Sequence, residues 1–274
     1  MEEHQNRFQI LCVTMHQTDF SKISDMNIHS NVLFANQANE TKYEKFCFEN
    51  KKAEMITTET RGVGVNRNLS LTYATGEICL FADDDMLYRD DLETTVLNEF
   101  DAHPDADVII FNIETDKDEI RKQKVYYKTK RCGPFSRMPW GGVRIAFRLD
   151  SVKKANVWFT TLFGGGAVFA SGEDSIWLKE AKKKGLVFYV SDKFIGKVSF
   201  GESSWFTGRN EKLFYARGAY IYAMHKRSFW VWCLYYAFRF RKNSTISFAD
   251  RLRWMKNGRN GFIDVVSYEK FSRD

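Results

Sequence analysis

Little in this sequence breaks the chain or staples it. Only three prolines occur in 274 residues and no low-complexity run accompanies them, so a disordered linker has little room. No segment repeats at a fixed period. The five cysteines, Cys12, Cys47, Cys79, Cys132 and Cys233, are odd in number and lack any paired spacing. Several sit in apolar stretches and read as small core residues of a protein in a reducing compartment. The N-terminus, MEEHQNRFQ, is acidic and polar, unlike a secretory signal, so a cytoplasmic location is expected. The densest aromatic run, SFWVWCLYYAF at 228–238, has eleven residues, whereas a membrane span needs about 20.

What remains is an ordinary folded composition, 44% hydrophobic and 28% charged, on a chain long enough for one large α/β domain or a domain with an appended tail. The formal charge of +6 is unevenly spread. From Trp205 onward there are 14 Lys/Arg against 5 Asp/Glu, a net of +9, while the first 204 residues carry −3. Arguments from basic charge therefore belong to the last quarter of the chain.

Short apolar runs at 8–14 (FQILCVT), 31–35, 43–48, 77–82 (EICLFA) and 107–113 predict buried strands. Val65, Leu69 and Tyr73 repeat at helical spacing, and Gly76 stands where a C-cap would. Further helices are predicted at about 91–102 and within GEDSIWLKEAKKKG, where Ile176, Trp177, Leu178 and Ala181 suggest a helix that opens with two acids and closes with Lys and Gly185. Beyond Gly208 the pattern is helical. Alternating strands and helices imply a mostly parallel sheet covered on both faces, whose ligands gather beyond the carboxyl ends of the strands. Thr14 and Asn36 end the first two strands, and Asp83, Asp84 and Asp85 follow the 77–82 strand.

Three adjacent carboxylates repel one another, so LFADDDMLY is either a solvated acidic turn or a cation site. Alternate acids on a loop, Asp83 and Asp85, can hold magnesium or manganese, which would stabilise a departing diphosphate. The second acidic pair, Glu173 and Asp174, starts a helix. Capping and the helix dipole account for it as structure, and a general base accepting a hydroxyl proton accounts for it as chemistry. Arg67, at the head of the helix before the acidic strand, can fork onto phosphate oxygens or serve as a surface charge.

GVGVNRNLSLTYATGEICLFADDDMLY resembles the nucleotide-sugar half of family 2 glycosyltransferases with the GT-A fold. GEDSIWLKEAKKKGLVFYV resembles their Glu-Asp acceptor-side motif, and SSWFTGRNEKLFYARGA is similar to a block of bacterial capsule and lipopolysaccharide transferases. The likeness runs over roughly residues 8 to 225. It implies a Rossmann-like GT-A catalytic domain at 1–204, with a nucleotide-sugar half at about 1–115 and an acceptor half at about 116–204. A basic, aromatic helical extension follows at 205–274.

The implied activity is inverting, metal-dependent transfer from a nucleotide diphosphate sugar, a UDP-sugar first, to a lipid-linked or polysaccharide acceptor. By position, Asp85 and Asp83 would hold Mn2+ or Mg2+, and Thr14, Asn36, Gln37, Arg67, Asp83 and Asp84 would lie at the donor. Asp174 would be the catalytic base with Glu173 beside it, and Gly165, Gly166 and Trp205 would lie on the acceptor side. Two departures stand out. Asn36-Gln37 replaces the Asp pair with which many members read uracil, and no clear His follows the Glu-Asp helix as a third metal ligand.

A sugar nucleotidyltransferase would also use acidic metal sites on an α/β sheet, but it lacks the Glu-Asp block. For the tail, one reading packs SFWVWCLYYAF on the catalytic domain. Another lays it in the interface of the inner membrane, with cations on anionic lipid. A third stacks its aromatics on nucleic-acid bases; cations clustered around an unbroken apolar run suit lipid better than that, and no nucleic-acid partner is expected.

Overall fold

β1 (Phe8–Met15), FQILCVTM, is apolar on both faces, and Ile10, Leu11 and Cys12 have no exposed surface. Such a strand has to lie inside a sheet covered on two sides. The computed structural model describes residues 6–114, 124–133, 136, 141–198, 210–241 and 246–272. After β1 come α1 (Lys22–Asp25), β2 (Asn31–Gln37), β3 (Lys42–Phe48), β4 (Lys51–Thr58) and α2 (Val63–Tyr73). β5 (Ile78–Asp83), β6 (Met86–Tyr88), α3 (Leu92–Ala102), β7 (Val108–Glu114) and β8 (Lys130–Arg131) follow. Then come β9 (Ile145–Arg148), α4 (Leu149–Lys154), α5 (Glu173–Lys183) and β10 (Phe188–Val198). The remaining helices are α6 (Glu211–His225), α7 (Phe229–Arg239), α8 (Phe248–Asp264) and α9 (Tyr268–Phe271).

The chain forms two compact units. The first comprises residues 1–61, 65–159 and 177–203 and holds the whole sheet, ordered β3-β4-β2-β1-β5-β9-β7-β10-β6, with β8 beside β10. β4, β2, β1 and β5 run parallel, as do β7 and β10, with β9 antiparallel between the two sets. The period-2 pleat sorts the apolar residues onto two faces. Phe8, Ile10 and Cys12 of β1 join Ile78 and Leu80 of β5 and Val96 and Phe100 of α3 in one cluster. Leu11, Cys79 and Phe81 join Leu71 of α2 and Trp177 and Ala181 of α5 in the other. In that second layer the Phe81 ring lies 4.5 Å from Phe147, 5.1 Å from Phe159 and 5.5 Å from Trp177.

The second unit comprises residues 62–64, 160–176 and 204–274. It takes in two segments that the boundary expected at 204 assigns elsewhere. α6 opens with the Asn210 side chain accepting from Leu213 N, and α8 with Ser247 accepting from Asp250 N. α6 and α8 cross at glycine. A Cβ at Gly218 would stand 2.0 Å from the Met255 carbonyl oxygen, and one at Gly258 1.8 Å from that of Tyr215. Arg251 donates to the Ala237 carbonyl oxygen at 2.8 Å, satisfying an orphan acceptor at the end of α7. Arg217 lies 5.0 Å from the Tyr236 ring and 5.3 Å from the Tyr220 ring.

Candidate active site

The parallel register lines up the strand ends: Val13 opposite Asp83, Thr14 opposite Asn36, Met15 opposite Gln37. Asn66, buried on α2, donates to the Ala35 carbonyl oxygen at 2.7 Å and to that of Thr14 at 3.3 Å, fixing the head of α2 against the ends of β1 and β2.

β5 ends at Asp83 and the chain turns through Asp84 and Asp85 into β6. Each of the first two acids is braced. Arg67 donates to Asp83 Oδ1 at 2.8 Å, and the Thr14 hydroxyl donates to Asp84 Oδ2 at 2.9 Å. Lys22 of α1 reaches the Asp84 carbonyl oxygen at 3.2 Å. Asp85 is exposed, yet its carboxyl is pushed up to about 6, first by desolvation within the turn and then by repulsion from Asp83 and Asp84.

Arg67 and Asn36 sit deeper than donor contacts would. Arg67 is 2% exposed, with its guanidinium 5.2 Å from the centre of the Phe159 ring. A Cβ on Gly142 would stand 2.7 Å from that guanidinium, so only glycine fits there unless the arginine moves. The arginine therefore holds Asp83 from within the protein. Asn36 has no exposed surface: its amide donates to the Gln17 carbonyl oxygen and the Thr57 hydroxyl and accepts from Gln17 N. It pins the loop after β1 instead of presenting an amide face to a base. Gln37 is buried as well. Lys22, Phe159 and Gly142 went unforeseen in the sequence. Lys22 sits in a polar stretch without periodicity, and the other two lie far along the chain from the acids they serve.

The second acidic pair belongs to the second unit. Glu173 is buried at the start of α5, and its Oε2 accepts from Gly172 N at 2.9 Å. Asp174, next along the helix, is half-buried. Gly165 and Gly166 are exposed in a tight turn in which Gly164 N donates to the Phe169 carbonyl oxygen and Phe169 N to that of Leu162. The Gly165 carbonyl oxygen accepts from Val63 N at 2.9 Å at the head of α2. Trp205 lies outside the described residues.

The donor set suits a hard cation, since Asp83 and Asp85 offer carboxylate oxygens. Among the described residues, no three His, Cys, Asp or Glu side chains converge as a ready-made metal centre. Remaining coordination positions would fall to substrate oxygens and water.

The family described as "Glycosyl transferase family 2" matches residues 38–163. A 1–349 fragment of S. aureus TarS, solved with UDP-GlcNAc, superposes with a TM-score of 0.60 at 15% identity, over 95% of this chain and 81% of that one. The chain is a glycosyltransferase of the GT-A fold. Against a longer TarS crystal structure this GT-A chain is covered over 97% but spans only 45% of the other chain, with a TM-score of 0.56 and 15% identity. Mannosyltransferase PcManGT from Pyrobaculum calidifontis, solved with GDP-Man and Mn2+, gives a TM-score of 0.50 at 12% identity, over 98% of the GT-A chain and 79% of its own. No curated protein sequence matches this glycosyltransferase.

Proposed function

We propose that the protein is an inverting, metal-dependent transferase that moves a sugar from a nucleotide diphosphate sugar to a lipid-linked or polysaccharide acceptor of surface polysaccharide synthesis. One observation carries the reading: Asp83 ends the parallel strand β5 and Asp84 and Asp85 follow it, with the first two acids braced by Arg67 and Thr14. Protein structure that holds adjacent carboxylates at a strand end does so against their repulsion, and a ligand of opposite charge offsets that cost.

Asp85 and Asp83 would hold Mn2+ or Mg2+, which when bound supplies Lewis-acid stabilisation to the diphosphate. Arg67 keeps Asp83 in place, and Thr14 does the same for Asp84. Asp174 takes the proton of the attacking acceptor hydroxyl, whose oxygen bonds to the anomeric carbon as the bond to the diphosphate oxygen breaks. Glu173, tied to the Gly172 amide, fixes the first turn that carries Asp174. A single displacement of this kind inverts the anomeric centre. A UDP-sugar is the first donor to test, and GDP-sugars the second, since structures of the same fold hold UDP-GlcNAc and GDP-Man.

Calorimetric titration with UDP, GDP and CMP, in manganese and then in EDTA, tests the reading. The expected result is binding of one nucleoside diphosphate that requires the metal and disappears in Asp85→Ala. Absence of nucleotide binding under every condition would leave the acids as a solvated turn and end the proposal.

A further inference from the structure

α7 presents two faces of opposite use. Phe229, Cys233 and Ala237, four residues apart, are buried in the second unit. On the other side Trp230, Val231, Leu234, Tyr235 and Phe238 are between 43% and 67% exposed, a continuous apolar stripe along the whole helix. Five large apolar side chains in one exposed row mark an interaction surface.

The ends of the stripe are basic. Lys226 and Arg227 stand exposed before α7, and Arg239 and Arg241 stand exposed at its end. Two of these cations lie against the stripe itself: the Arg241 guanidinium is 4.0 Å from the Phe238 ring centre, and Arg239 donates to the Tyr235 hydroxyl at 2.8 Å. At the N-terminal end a cleft of about 290 Å3 is lined by Lys226, Arg227 and Arg259 together with Tyr222 and Trp230. Among the described residues no acid lines it. Between Glu211 and Asp250 the sequence has seven lysines and arginines and not one acid.

We propose that this face of α7 docks on an anionic phospholipid surface, with the apolar stripe in the headgroup-acyl boundary and the basic cleft on a lipid phosphate. Eleven helical residues extend about 16 Å, half the hydrocarbon thickness, so the helix lies along the surface. Among the described residues no helix is long and apolar enough to cross a membrane. A second copy of the chain is the poorer occupant. Both ends of the stripe are cationic, so two copies pressed face to face would oppose like charges in either orientation. An anionic lipid surface complements every one of them. The inference rests on no catalytic assignment, and its test uses no activity.

The full chain is floated with vesicles of phosphatidylcholine alone and of phosphatidylcholine with phosphatidylglycerol, at low and high salt. The expected result is flotation with the anionic vesicles only, weakened by salt. Two double variants, Leu234→Ser with Phe238→Ser and Lys226→Glu with Arg227→Glu, each lower the bound fraction at least about tenfold. All four substituted side chains are exposed, and circular dichroism melts matching the parent show that the fold is kept. Failure to float with anionic vesicles at low salt overturns the proposal, as does equal flotation by the parent and both double variants. Sedimentation velocity showing a dimer that Leu234→Ser with Phe238→Ser dissolves, without vesicle binding, overturns it in favour of a second copy.

Discussion

The Arg67 guanidinium donates to Asp83 Oδ1 at 2.8 Å while lying between the Phe159 ring and the backbone of Gly142. The arginine is almost wholly buried, whereas the carboxylate it holds is 38% exposed. One end of the pair is structure and the other faces solvent.

Removing the arginine therefore costs less than breaking a fully buried pair, because water can solvate Asp83 once it is freed. Arg67→Ala is expected to lose about 2 kcal/mol in urea unfolding. Arg67→Lys recovers the charge without the planar fork or the ring contact, so it restores only part of that stability. Gly142→Ala should mimic the loss from the other side, at about 1–3 kcal/mol, by pushing the guanidinium off its seat. If Gly142→Ala melts with the parent, the cradle is not what holds the arginine.

Thr14→Val removes the hydroxyl that donates to Asp84 while keeping the shape of the side chain. A hydrogen bond to a charged acceptor is worth about 1.5–3 kcal/mol, so the variant should lose stability in that range at neutral pH. Thr14→Ser should restore most of it.

Thiol reactivity should sort by burial. Desolvation pushes the Cys79 and Cys233 thiols up to about 12 and the Cys12 thiol well above its ordinary value, whereas Cys47 is exposed. At pH 8 a disulfide reagent should titrate Cys47 first and half-buried Cys132 more slowly, with Cys12, Cys79 and Cys233 appearing only on unfolding. Raised folded-state values mean that this contribution to stability is intact below the unfolded thiol range and is lost as pH rises towards 12. Chemical melts above pH 9 should show that decline.

Two glycines should part company. Gly258→Ala forces α6 and α8 apart, because its methyl would stand 1.8 Å from the Tyr215 carbonyl oxygen. A loss of about 3 kcal/mol is expected. Gly165 has nothing within 4 Å of an added Cβ, so Gly165→Ala should melt within about 0.5 kcal/mol of the parent. Any rise in acceptor KM in that variant would then report on the site and not on the fold.

The central strands were legible because burial on both faces leaves unbroken apolar runs, as in β1 and β5. β4 was missed: Lys51, Lys52 and Glu54 interrupt KKAEMITT, and only the alternate burial of Ala53, Met55 and Thr57 betrays a strand. β10 runs eight residues past Val190, where the apolar pattern stops, because a register shift between Val190 and Phe194 carries Ser191, Asp192 and Lys193 within the strand. Gly76 is no C-cap. α2 ends at Tyr73, and Gly76 is needed because a Cβ there would stand 2.7 Å from that of Gln9. The acidic turn could be read from the sequence. Its bracing could not, since Arg67, Phe159 and Gly142 meet only after the sheet has brought distant segments together.

The clustering of Phe163 and Phe169 with the C-terminal helices sets an order of events during synthesis. Their rings lie 5.7 and 6.0 Å from Phe262, roughly a hundred residues downstream. Segment 160–176 thus leaves the ribosome long before the side chains that cover it exist. Until α6 and α8 are made, these two large aromatics lack most of the cluster that covers them, and a nascent chain in that state is a client for chaperones.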